Sequence, residues 1–152
     1  MLYSPGALKL LGYTPRKNSG NDYVSKTMQV WYRFDIAGDS NEFAWVNTQS
    51  HSNENGVTHA GAVLTYMDYA MSTTIHKITG RWPYITELNN KFTSSARIVR
   101  WLFASITVIT RTDEDIELNG RINAHHPDGM LVLQSTGKFN LPKLPKMLDN
   151  DE

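Results

Sequence analysis

The stretch NENGVTHAGAVLTYMDYAMSTTIHKITG, residues 53–80, decides how this chain folds. Between residues 57 and 79 it holds no proline, and Gly80 stands where a helix stops. The pattern predicts one long helix over 57–79. Asp68 is the odd residue in it. On a helical wheel Leu64, Met71 and Ile75 fall within about 60° of Asp68, with Gly61, Thr65 and Ser72 close on its other side. Lys77 and Thr73 mark the far side, where a plain solvent-facing acid belongs. A surface acid at the edge of the apolar stripe is one reading. A functional acid is the stronger one, because a carboxylate desolvated by apolar neighbours is costly unless it is used or paired.

Outward from this helix the pattern changes to period two. Upstream, Met28, Val30, Tyr32, Phe34 and Ile36 alternate with Gln29, Trp31, Arg33 and Asp35, which predicts a strand; a helix through Val24, Met28, Trp31 and Tyr32 is the weaker option. AGDSN (37–41) reads as a turn and EFAWVNTQ (42–49) as a second strand. Downstream, four strands are expected at about Tyr84–Thr93, Ile98–Arg111, Ile116–Ala124 and Met130–Leu141. RTDED and HHPDG form hairpin turns between the later ones. Residues 1–22, with Pro5, Gly6, Gly12, Pro15 and Gly20, read as an irregular arm with a short helical turn at Ala7–Leu11. Residues from about 142 to 152 read as a flexible tail. Strand hairpin, long helix, then strand meander predicts one α+β domain over residues 1–152, with the helix packed on one sheet face.

The bulk numbers bound the function. The 152 residues suit one compact domain, with 40% apolar and 20% charged side chains and a formal net charge of zero. Zero net charge argues against a nucleic-acid partner. The chain has no cysteine, which excludes disulfides and thiolate chemistry. No apolar run is long enough to span a bilayer. The first residues show no basic stretch before their apolar part, and Pro5 interrupts them, so a cytoplasmic location is expected. HHPD (125–128) offers no third ligand at a recognisable spacing, so no metal is expected.

His59 opens the predicted helix nine residues before Asp68. Nine residues are about 13.5 Å of rise and about 900° of turn, so the two side chains point to opposite sides. One reacting carbonyl cannot touch both on the same helix. If they share a site, two antiparallel helices must meet across a twofold axis, the commonest assembly. The N–H groups of Ala60 and Gly61 at the helix start suit an oxyanion, and a carboxylate facing them can deprotonate a water. Such a site hydrolyses an activated acyl group without metal or covalent nucleophile.

The pattern N-x-x-G-x-x-H-x-G at Asn53, Gly56, His59 and Gly61, followed by Asp68, resembles the hotdog-fold acyl-CoA thioesterases of the phenylacetate-pathway and 4-hydroxybenzoyl-CoA type. ITELNNKFTSSAR (85–97) resembles the family's next strand, with Ser94 where relatives hold the attacking water. The resemblance covers about residues 42–140. It implies a hotdog fold, an antiparallel sheet wrapped around one long helix, assembled as a dimer or a dimer of dimers. It implies thioester hydrolysis, with the Ala60 amide polarising the carbonyl and Asn53 and His59 arranging that end. No cofactor is implied, since coenzyme A is part of the substrate. The family's His-Gly-Gly is His-Ala-Gly here, and its usual Gly-Asp pair is replaced by IVRW (98–101). Arg97, Arg100 and Lys138 are candidates to grip coenzyme phosphates, against the plain alternative of surface charge. Tyr66, Met67, Tyr69, Trp82 and Trp101 are candidates to shape an acyl tunnel. A non-catalytic hotdog module binding acyl-CoA or another apolar ligand is the alternative.

Overall fold

The computed structural model describes residues 3–17, 20, 22–34 and 40–143. In chain order the elements are α1 (Pro5–Leu10), β1 (Thr14–Pro15), α2 (Tyr23–Thr27), β2 (Val30–Phe34), β3 (Ser40–Val46), a 3₁₀ turn (Gln49–His51), α3 (Ala60–Thr79), β4 (Tyr84–Phe92), β5 (Trp101–Arg111), β6 (Asp115–Ala124) and β7 (Met130–Asn140). The turn expected at AGDSN falls largely on residues 35–39, outside the described residues; Ser40 and Asn41 already belong to β3.

Helix α3 forms because its apolar residues recur at three- and four-residue steps. Val63, Tyr66, Met67, Ala70, Met71, Thr74 and Ile75 are its buried face. It ends at Gly80, whose φ of +71° is the left-handed stop that glycine takes without strain. It starts three residues later than expected. Val57 and Thr58 are bridged to Arg97 and Ser52 and are held extended.

The sheet packs on that face. Phe43, Trp45, Leu102, Ile106, Leu118 and Phe139 alternate inward and are almost completely buried. Each such side chain contributes roughly 1.5–3 kcal/mol by leaving water. A Cβ at Gly120 or Gly137 collides with the Met67 and Met71 side chains, so these glycines let the methionines lie directly against the strands. Tyr66 and Met67 are fully buried in this core, and the Tyr66 hydroxyl donates to the Leu102 carbonyl at 3.1 Å.

Two expectations need correction. The strands after the helix are not one meander. The sheet order is β1-β2-β3-β5-β6-β7-β4, so β4 lies at the edge against β7 while β5, β6 and β7 form the meander. The chain crosses from β4 back to the sheet centre through residues 93–100, and β5 begins at Trp101 rather than Ile98. The N-terminal arm is also not irregular. Helix α1 is capped by Ser4, and β1 pairs with β2. Leu8 and Tyr13 bury themselves against Trp31, Ala44, Trp101 and Phe103 on the outer sheet face. Trp101 thus belongs to that second cluster. The helical option upstream holds only for α2, where Asp22 caps by accepting the Ser25 N–H at 2.9 Å. Of the tail, Leu141 is buried in the core, while residues 144–152 lie outside the described residues. No helix among the described residues is long and apolar enough to cross a membrane.

Candidate active site

The loop before α3 is built on Asn53. Its Oδ1 accepts the N–H of Asn55 at 2.9 Å and of Val57 at 3.3 Å, and its own N–H donates to the Val57 carbonyl at 2.8 Å. Gly56 turns the loop with a φ of +71°. Asparagine suits this position because its side chain copies a backbone acceptor. The chain then enters the helix with its amides assigned one by one. Thr58 N–H donates to the Ala96 carbonyl and His59 N–H to the His51 carbonyl, both at 2.7 Å. The Gly61 N–H donates to His59 Nδ1 at 3.0 Å. An Nδ1 that accepts carries no proton, so the exposed ring presents Nε2–H. Gly61 was expected to offer a second oxyanion donor, and its N–H is already taken. The Ala60 N–H has no acceptor among the described residues.

Ala60 lines a cavity of about 380 Å³ together with Asn53, Val63, Phe92, Ser94 and Val132 among others. Ser94 sits half-buried there and its hydroxyl donates to the Leu131 carbonyl. The oxygen lone pairs remain to accept from a water. Asn53, Ala60 and Ser94 are thus brought together within one chain.

Asp68 is not among the cavity walls. It is half-buried about two turns further along α3, between Leu64 and Ser72. Desolvation pushes its pKa up, partly opposed by the Ser72 hydroxyl at 3.5 Å. Met71 and Ile75, its neighbours on the wheel, turn fully into the core, so Asp68 marks the border between core and open face.

No protein-family model matches the chain, and no curated protein matches it in sequence. Solved structures do match in three dimensions. Zebra fish thioesterase superfamily member 2 superposes with a TM-score of 0.68 at 18% identity, over 82% of this chain and 88% of that one. The E. coli PaaI protein from the phenylacetic acid degradation operon gives 0.71 at 15% identity, over 81% and 86%. A Streptococcus mutans protein bound to acetyl CoA gives 0.66 at 11% identity, over 76% and 91%. This chain has the hotdog fold.

Within the hotdog frame the three cationic candidates separate. Arg97 is exposed beside the cavity, and its guanidinium has no partner among the described residues. Arg100 lies three residues on, with Nη1 donating to the Val99 carbonyl at 3.1 Å. Lys138 instead pairs with Glu87 at 3.4 Å. It stands seven residues along β7 from Leu131, about 23 Å away in a strand, and does not share the Ser94 end of the site. Trp82 stacks on His76 with centroids 4.0 Å apart, at the far end of α3. Tyr69 is half-buried against Phe43. His125 and His126 lie in the β6–β7 turn, where His126 Nδ1 accepts the Asp128 N–H at 3.0 Å.

Sequence reasoning missed Asn47 and His51. His51 is buried, with Nε2 2.7 Å from the Thr27 carbonyl and Nδ1 accepting the Thr48 N–H at 3.0 Å. It braces the loop that positions His59. Asn47 sits just past a strand end, where only its partners, some fifty residues on, reveal its use.

The cap makes one expectation concrete. His59→Ala should cost about 0.5–2 kcal/mol by freeing the Gly61 N–H, and His59→Ser should recover most of it. Chemical denaturation of the two variants checks this; equal stability of wild type and His59→Ala removes the capping role.

Proposed function

We propose that the chain is an acyl-CoA thioester hydrolase whose site is completed by a second copy of itself. The observation that carries this is the unpartnered N–H of Ala60, the first residue of a 20-residue helix, which lines a largely apolar cavity together with Ser94 and Asn53. The aligned helix amides make that end partially positive, which favours charge developing on an attacked carbonyl oxygen. The CoA-bound hotdog neighbour supports the same ligand class.

The chemistry runs as follows. The thioester carbonyl oxygen accepts the Ala60 N–H. The Asp68 carboxylate of the second copy takes a proton from a water held with help from Ser94, and the resulting hydroxide attacks the carbonyl carbon. The tetrahedral oxyanion collapses, the C–S bond breaks, and the coenzyme thiolate leaves and takes up the proton. Acyl-CoA and water become a carboxylic acid and free coenzyme A. No cofactor enters, and coenzyme A leaves as part of the substrate.

A second copy is called for because Asp68 and Ala60 face different ways along α3. The protomer supplies the surface. Among the described residues strand β4 is bonded on one side only, to β7, and it carries exposed Tyr84, Ile85 and Phe92. An open apolar edge strand is a template for another chain. The expected species in sedimentation is a dimer or a multiple of one, and a monomer that still turns over thioesters overturns the shared site. The alternative reading, a binding module, is decided by assaying free thiol over a panel of acyl-CoAs. A wild type that binds acyl-CoA yet never releases thiol is that module.

A further inference from the structure

Asn47 is completely buried, directly after the last residue of β3. Its amide is used at each position. Nδ2 donates to Thr58 Oγ1 and to the Arg97 carbonyl at 2.8 Å, and Oδ1 accepts the Arg100 N–H at 2.7 Å. Its main chain adds two bonds, donating to the Arg100 carbonyl at 3.2 Å and accepting the Val99 N–H at 3.1 Å. One side chain therefore ties the residue before the helix cap to both ends of the segment 97–100.

That segment is held in an unfavourable shape. Val99 has a φ of +57°, a left-handed conformation that a β-branched residue rarely takes. Such strain persists only where the surroundings over-determine it, and it gathers at sites that need a set geometry. The Asn47 bonds on both sides of Val99 supply that constraint. The segment also has a distinct charge. SSARIVRW, residues 94–101, carries two arginines and no acid, and neither arginine is paired with a carboxylate among the described residues. Ala96, just before Arg97, lines the same cavity as Ala60.

We propose that Asn47, acting through the strained Val99, is a positioning residue that holds Arg97 and Arg100 at a fixed offset from the Ala60 N–H. It registers the phosphate end of a coenzyme A thioester against its carbonyl end. The proposal rests on the thioesterase reading and deepens it. A flexible pantetheine arm joins the two ends of such a substrate. A rigid offset between their receptors avoids ordering one of them at each binding event.

The test compares the same acyl group on coenzyme A and on pantetheine, which lacks the phosphorylated nucleotide. The readout is the ratio of kcat/KM for the two substrates, which general damage to the fold does not move. Asn47→Ala and the double variant Arg97→Ala/Arg100→Ala are each expected to lower that ratio by about tenfold, the loss of roughly one charge-assisted contact, mainly through KM for the coenzyme A thioester. Arg97 is exposed and the Arg100 side chain bonds only its neighbour's carbonyl among the described residues, so the double variant folds even if Asn47→Ala does not. A ratio unchanged in the double variant, or in a folded Asn47→Ala, while wild type turns over acyl-CoA overturns the clamp and leaves the thioesterase reading intact. If wild type releases no thiol, calorimetry with coenzyme A against pantetheine reads the same clamp. A tenfold loss of coenzyme A affinity in both variants then upholds it without the enzyme reading, and equal affinities in either overturn it.

Discussion

Asp68→Asn is expected to cut turnover by roughly 10²–10⁴-fold, the usual worth of a positioned general base. The amide keeps the size and polarity of the acid and removes its basic oxygen, so chemistry is tested rather than packing. The cause is local. Leu64 and the core edge desolvate the carboxyl and raise its pKa towards the range where a base both ionises and accepts protons. Two pH effects follow. Activity needs the carboxylate, so it rises with pH through the raised pKa and is lost below it. Stability moves the other way. Between the ordinary value of 3.8 and the raised folded value, the folded chain holds a proton that the unfolded chain has released. Asp68 therefore costs no stability at low pH and destabilises the fold increasingly as pH climbs through that window. Asp68→Asn removes that penalty and should melt at or above wild type near neutrality. Turnover and thermal melts of both proteins on the best acyl-CoA decide the matter, and a variant that matches wild-type turnover removes Asp68 from the chemistry.

Ala60→Pro is expected to lower kcat by roughly 10²–10³-fold, the loss of one oxyanion donor. Proline deletes the N–H and nothing else that the helix needs. Position 60 is the first residue of α3, where proline is favoured and the missing N–H breaks no helical bond. His59, with φ −59° and ψ 133°, already has the extended shape that a residue before proline requires. The melting temperature should hold. Ala60→Val adds comparable bulk while keeping the N–H, so it separates crowding from donor loss. Ala60→Gly restores the residue of the family pattern and should keep activity. Full turnover by a well-folded Ala60→Pro protein eliminates the helix start as the oxyanion site.

The two variants probe positions eight residues apart on α3. If both are inactive, mixing them adds a sharper result. A heterodimer holds one site with both defects and one with neither, so partial activity returns on mixing when subunits exchange. Restored turnover after mixing is the signature of a site shared across protomers.

The sequence by itself determined what repeats locally. The three- and four-residue steps of Val63, Tyr66, Met67, Ala70 and Met71, stopped by Gly80, are the helix. The alternation through Leu102, Ala104 and Ile106 and through Ile116 and Leu118 is the sheet's inner face. The residue pattern around His59 was also legible, because capping and turn chemistry act within a few residues. Tertiary structure decided everything that depends on which element lies beside which. Period two marks β4 as a strand but cannot say that it bonds to β7 rather than β5. Leu8 and Tyr13 in a proline- and glycine-bearing arm gave no sign that an outer sheet face with two tryptophans awaited them. Lys138 read as a candidate phosphate grip or plain surface charge, and strand register sets it beside Glu87. Asn47 read only as part of the strand expected over 42–49, yet its amide joins residues 58, 97 and 100. Hydrogen bonds along one segment are written in its own spacing, whereas a bond across fifty residues exists only once the fold has brought both groups out of water to the same point.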